Sequence, residues 1–116
     1  MAKNVELADF VLKYAPHDSN IYYKKGEALE HLGRYEEAID SYSLALKYNS
    51  SFKREKCYNL SMIYYDLGNC YAVLKQYERA LGFYNLSVEH GRDDRYVYYG
   101  IEDMLFKLGR LGKESD

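Results

Sequence analysis

Apolar side chains recur along this chain at spacings of three and four residues, in runs that are broken near Pro16, Gly33, Lys75, Gly91 and Gly109. Between Ser19 and Leu32 the stripe is Tyr22, Gly26, Leu29 and Leu32, which places it on one face of a helix. Leu32-Gly33-Arg34 ends that run, because glycine can take the left-handed conformation that closes helices. Asp18 or Ser19 can cap its start by accepting a hydrogen bond from a backbone N–H of the first turn. Tyr35, Ala38, Ile39, Tyr42, Ala45 and Leu46 mark a second helix with the same periodicity. Tyr64, Leu67, Gly68, Tyr71 and Leu74, then Tyr77, Ala80, Leu81, Tyr84, Ser87 and Val88, repeat the pair. The segment Gly91-Arg92-Asp93-Asp94 interrupts the chain before a last stripe of Tyr98, Ile101, Met104, Leu105 and Leu108. Upstream, residues 3 to 14 read as a helix bearing Val5, Ala8, Val11, Leu12 and Tyr14, closed at Ala15-Pro16 because proline cannot continue it. The pattern predicts six helices.

Three tyrosine doublets, Tyr22-Tyr23, Tyr64-Tyr65 and Tyr98-Tyr99, stand at matching places, with Leu32-Gly33, Leu74-Lys75 and Leu108-Gly109 following each at the same distance. The second and third doublets are 34 residues apart and the first and second 42. Self-similarity at this period is the signature of a helical repeat array. The small residues Gly26, Ala38 and Ala45, matched by Gly68, Ala80 and Ser87, allow two helices joined by a tight turn to approach closely. The eight additional residues between the first two doublets lack glycine and proline, and Cys57 and Leu60 continue the stripe of Tyr64. Eight residues are close to two turns, so a helix running from about residue 52 to 74 keeps its facing.

On these residues the chain resembles the tetratricopeptide repeat family. The resemblance divides it into a half-repeat over 3–18, a repeat over 19–52, an extended helix start over 52–60, a repeat over 61–94 and a terminal helix over 95–111. It implies an all-α array of helical hairpins, a right-handed α-solenoid. Three positions depart from the family pattern: Lys25 replaces an aliphatic residue, Lys75 the turn glycine, and Glu102 a small residue.

Composition narrows the function. A formal net charge of −2 is unsuited to a dedicated nucleic-acid binder, which must neutralise many phosphates. No apolar run approaches the roughly 20 residues that span a bilayer. The opening residues, with Glu6 and Asp9, contain no signal-peptide core. Cys57 and Cys70, if on one helix, lie about 20 Å apart, too far for a disulfide, which suits a reducing compartment. The expected location is the cytoplasm. His17, His31 and His90 are scattered without metal-ligand spacing, and neither a nucleophile elbow nor a phosphate loop is present. No cofactor, metal or catalytic residue is expected. The 15 tyrosines supply apolar area while keeping a hydroxyl for solvent or a partner.

The resemblance also implies where a ligand would lie, because first helices line the concave surface of such arrays. Carried over, the first repeat offers Asn20, Tyr23, Lys24, Glu27, Glu30 and His31. The second offers Met62, Tyr65, Asp66, Asn69, Ala72 and Val73, and the last helix Tyr96, Tyr99, Gly100, Asp103, Phe106 and Lys107. On this reading the second tyrosine of each doublet faces the groove and the first packs between helices. Some family members clamp a terminal carboxylate with lysine, asparagine and arginine. Tyr23, Glu27 and Asp66 occupy those places and would not. A tyrosine ladder flanked by acids suits a peptide with apolar and basic residues, so the expected function is a non-enzymatic protein-binding scaffold. The alternative is a self-assembly module joined through its ends, with Ile101, Met104, Leu105 and Leu108 as the self-association face.

Overall fold

The computed structural model describes residues 2–49 and 60–110. Among these the regular elements are six helices: α1 (Ala2–Leu12), α2 (Ser19–His31), α3 (Tyr35–Asn49), α4 (Leu60–Val73), α5 (Tyr77–Glu89) and α6 (Arg95–Lys107). The all-α hairpin architecture anticipated from the periodicity is present. The chain divides into two units, Met1–Asn59 carrying α1–α3 and Leu60–Asp116 carrying α4–α6. The anticipated helix over 52–74 is seen from Leu60 onward, and its earlier part, with Cys57, lies outside the described residues.

Local chemistry sets the helix ends. Asp18 is the N-cap of α2: its carboxylate accepts from the backbone N–H of Asn20 at 3.0 Å and of Ile21 at 3.2 Å. Ser19 is thereby released for another task. Asp94 caps α6 in the same way, accepting from Val97 N–H at 3.1 Å. Four helices end in one motif, seen first at Gly33, where Gly33 N–H reaches Glu30 O and Arg34 N–H reaches Leu29 O. Lys75, Gly91 and Gly109 close α4, α5 and α6 with the equivalent pair of bonds. The motif needs a left-handed residue. Gly33 has φ +79° and Gly109 +74°, and Lys75 is forced to +64°.

In the first unit α2 packs on α3, and α1 lies against α2. The α2–α3 contact is built around Tyr42, which is fully buried. A Cβ placed on Gly26 would stand 2.6 Å from its ring, so the ring lies directly on the α2 backbone. The Tyr42 hydroxyl donates to Glu30 at 2.7 Å, and Ser19 Oγ donates to the Ala45 carbonyl at 2.8 Å. Lys25, where an apolar residue was expected, ties α2 to α1 through an ion pair with Asp9 at 2.7 Å.

The second unit repeats the design with exchanged parts. Tyr84 lies on Gly68, where a Cβ would stand 2.7 Å from the ring, and its hydroxyl donates to Asn69 Oδ1 at 2.6 Å. Here the serine is on the other helix: Ser87 Oγ donates to the Ser61 carbonyl at 2.7 Å. The same two helix positions are joined in both hairpins, with donor and acceptor swapped. Helix α6 then packs on α5 and meets the edge of α4. Gly100 covers the other side of Tyr84, at 2.9 Å from a would-be Cβ. Val97 and Met104 close the core with Ala80, Leu81 and Tyr84, and Ile101, Leu105 and Leu108 pack on it, half-buried.

One buried stripe went unread in the sequence. Ile63, Cys70 and Val97 are all fully buried. Ile63 and Cys70, like Val97 and Met104, are seven residues apart on one helix face. The signal was available, as an aliphatic or small residue at matching places of each first helix.

Glu30 carries an electrostatic burden. Burial raises its carboxyl above the usual carboxylate range, with Glu27 adding to the shift, and the hydrogen bond from Tyr42 and the nearby His31 only partly oppose it. A raised acid contributes stability below its unfolded pKa and loses it as pH rises through the folded value.

Four substitutions test this account of stability. Gly68→Ala should destabilise by about 1–3 kcal/mol, because the buried Tyr84 ring has nowhere to move. Gly82→Ala, on the same unit with open space around it, should stabilise by about 0.5–1 kcal/mol through helix propensity alone, and urea melts of both variants read the difference in sign. Lys75→Gly should stabilise by about 0.5–1 kcal/mol, the left-handed penalty removed less the extra entropy of glycine. Glu30→Gln keeps an acceptor for Tyr42 and should melt higher than the parent chain at pH 7. The gap should close as pH falls below the folded pKa of Glu30, and thermal melts across that range check it.

Candidate functional site

The first-helix face of each unit was expected to carry the ligand, and the two units present it differently. In the first unit Asn20, Lys24 and His31 are exposed on α2, and Glu27 and Glu30 are half-buried. Tyr23 is 3% exposed, its ring 5.5 Å from that of Tyr42. It is a packing residue, not an open groove contact. Its neighbour Tyr22 is half-buried instead, stacked on Tyr48 at 5.6 Å, with its hydroxyl donating to the Pro16 carbonyl. The expected division of labour within the doublet is thus reversed at this repeat. The Tyr23 ring leans on the buried Tyr42 of α3, which draws it inward.

In the second unit the matching pair is intermediate. Tyr64 packs beside Phe83 on α5 and His90 just after it, half-buried, as the first tyrosine of a doublet was expected to. Tyr65 lies 5.8 Å from the Tyr84 ring and is capped on its outer face by Arg92, whose guanidinium carbon is 3.9 Å from the ring centroid. Met62, Asp66 and Asn69 are half-buried on the same helix. Asn69 Oδ1 is committed to the Tyr84 hydroxyl, so removing that side chain would strand a buried donor as well as alter the surface.

On α6 the aromatic side chains are open. Tyr96, Tyr99 and Phe106 are 61%, 59% and 65% exposed. Asp103 is exposed and pairs with Lys107 at 3.3 Å. The third doublet therefore has both members exposed, since α6 has no described helix beyond it. The expected self-association face needs correction. Met104 is 2% exposed and belongs to the core, and Ile101, Leu105 and Leu108 pack on that core. These four form the apolar stripe of α6, and that stripe is the one α5 covers.

Among the described residues no group of three or more His, Cys, Asp or Glu is placed to hold a metal ion. None of the described helices is long and apolar enough to cross a membrane. What the second unit offers is half-buried Tyr65 and Asp66 on α4 and exposed Tyr96, Tyr99, Asp103 and Phe106 on α6.

The sequence profile of the tetratricopeptide repeat matches residues 18–93. No curated protein sequence matches the chain. Among solved structures, YrrB, described as a TPR protein with an unusual peptide-binding site, superposes with a TM-score of 0.75 at 23% identity over 91% of this chain. This chain spans 50% of the YrrB chain. The TPR domain of Sgt2 from Aspergillus fumigatus superposes with a TM-score of 0.75 at 18% identity, covering 97% of this chain and 70% of its own. At these identities the likeness is one of fold. The hairpins, their glycine–tyrosine contacts and a profile match across well over half of the chain agree: this protein belongs to the tetratricopeptide repeat family.

Proposed function

We propose that this protein is a non-enzymatic, cytoplasmic binding scaffold that holds a peptide or helix of a partner protein on the first-helix face of its second unit. The observation that supports this reading is the composition of that face. Met62, Tyr65, Asp66 and Asn69 on α4 and Tyr96, Tyr99 and Asp103 on α6 combine aromatic and thioether surface with two carboxylates. The cations nearby are already engaged, Arg92 over Tyr65 and Lys107 with Asp103. Such a surface suits a ligand with apolar and basic side chains: rings supply contact area at small entropic cost, and the acids select charge. On the first unit, Asn20 and Glu27 are the equivalent positions, with Tyr23 supporting them from beneath. YrrB, a protein of the same fold, is described as peptide-binding, which is consistent with this use of the fold.

Labelled peptides of alternating leucine and arginine, and the same peptides with glutamate for arginine, provide the test by fluorescence anisotropy. The basic series should bind, and its affinity should fall as salt is raised from low to physiological, over a screening length of about 10 Å. Asp66→Asn and Met62→Ala should each weaken binding about three- to tenfold while leaving the melting temperature within a few degrees. Equal binding of the two series, or a dissociation constant unmoved by both substitutions, would remove the α4–α6 face from consideration.

A further inference from the structure

Two further surfaces overlap the peptide face only at Tyr99 and Glu27. The first is a groove of about 420 Å³ between α1 and α2, lined by Asn4, Leu7, Ala8 and Val11 from one helix and Ile21, Lys24, Glu27, Ala28 and His31 from the other. On the α1 side it is apolar and open: Leu7 is 62% exposed, and Phe10 and Tyr14, which meet edge to face at 5.5 Å, continue the same uncovered stripe. The second is the side of α6 turned away from Val97 and Met104. At 100° per residue, Tyr99, Glu102 and Phe106 fall opposite those two buried residues, with Tyr98 at the margin. All four are exposed.

We infer that these surfaces fit each other: the α1–α2 groove receives α6 of a second copy, so that copies join head to tail. Three observations carry this. The first is helix type. In the repeat frame α6 is a first helix and α1 a second helix, so α6 of one copy beside α1 of the next makes the same pairing as α2 with α3 and α4 with α5. The second is size. In both internal hairpins a glycine on the first helix accepts a tyrosine ring from the second. The matching positions are Glu102 on α6 and Ala8 on α1, so the large and small partners are exchanged and the fit is kept. A first helix with glycine there would leave a void over Ala8, and a second helix with tyrosine there would collide with Glu102. The third is charge. Glu102 on α6 would meet Lys3, one turn before Leu7 on α1, and Lys24, which lines the groove with Glu27 and His31.

The joint is heterologous, so it does not close on itself in a pair and permits an open series. A contact of one helix against two is small, and association belongs in the weak range. It shares Tyr99 with the peptide face but leaves Met62, Tyr65 and Asp66 on α4 untouched, so the α4 substitutions that test the peptide reading do not bear on it.

Sedimentation velocity on the whole chain over a concentration series tests it. The parent chain should grow in mass with concentration beyond a dimer. Leu7→Asp, which spoils only the groove, and Phe106→Asp, which spoils only the helix, should each be monomeric with unchanged circular dichroism, because both side chains are already exposed. Mixed in equal amounts they should form a one-to-one dimer and nothing larger, since one intact groove and one intact helix remain. Glu102→Lys should act like Phe106→Asp in this mixture, with at least a tenfold loss of self-association on its own. A parent chain that stays monomeric across the series overturns the proposal. So does a mixture that stays monomeric, or a single variant that associates as the parent does.

Discussion

Both hairpins depend on one steric fact: a tyrosine ring lies flat on a backbone that has no side chain beneath it. Tyr42 rests on Gly26 and Tyr84 on Gly68, with space for a Cβ at neither place. Because the rings are buried, they set the interhelical distance, and every other contact is made at the separation they dictate. The hydrogen bonds follow from it. Only at this approach does Ser19 reach the Ala45 carbonyl, or Ser87 the Ser61 carbonyl, and only there do the tyrosine hydroxyls find Glu30 and Asn69. Tyr84 goes further than Tyr42, since Gly100 closes on it from α6 and makes one ring the contact point of three helices.

A frame so constrained at a few points is permissive elsewhere. Lys25 sits where an apolar residue was expected, yet it spans the α1–α2 contact by pairing with Asp9. A long side chain can place its stem against neighbouring apolar surface while its charge stays at the rim. Lys75 adopts the left-handed turn without being glycine, because the two backbone bonds that close α4 require that conformation whatever the residue. The penalty is local and does not alter the hairpin. Glu30 accepts the desolvation that comes with serving as acceptor for Tyr42. In each case a locally unfavourable residue persists because it is held in a motif that the surrounding structure already defines.

The three tyrosine doublets show how one sequence motif acquires different roles. Tyr23 is buried, Tyr65 is half-covered by Arg92, and Tyr99 is open. The series follows how much structure surrounds each helix, and not any difference in the motif itself. Ring surface therefore stays open on α6, at Tyr96, Tyr99 and Phe106. The face of α1 around Leu7 and Phe10 is open for the same reason.

Much of the fold was legible in the sequence. Period, turn glycines, the proline after α1 and the small residues at Gly26, Gly68, Ala38 and Ala80 together specify helical hairpins, because these are local or nearest-neighbour effects. The choice between Asp18 and Ser19 as cap was open, and only the folded hairpin decided it, by offering Ser19 a carbonyl on α3. The α6 stripe was read correctly as apolar and assigned to the wrong surface: periodicity shows that Met104, Leu105 and Leu108 share a face but not what covers it. The candidate binding residues were carried over by position, and position alone could not separate Tyr23 from Tyr99. The sequence by itself determined which residues lie together on each helix, since that depends on 3.6 residues per turn. The tertiary structure decided which of those faces are buried, because burial depends on the neighbouring helix and on how closely a ring lying on glycine lets it approach.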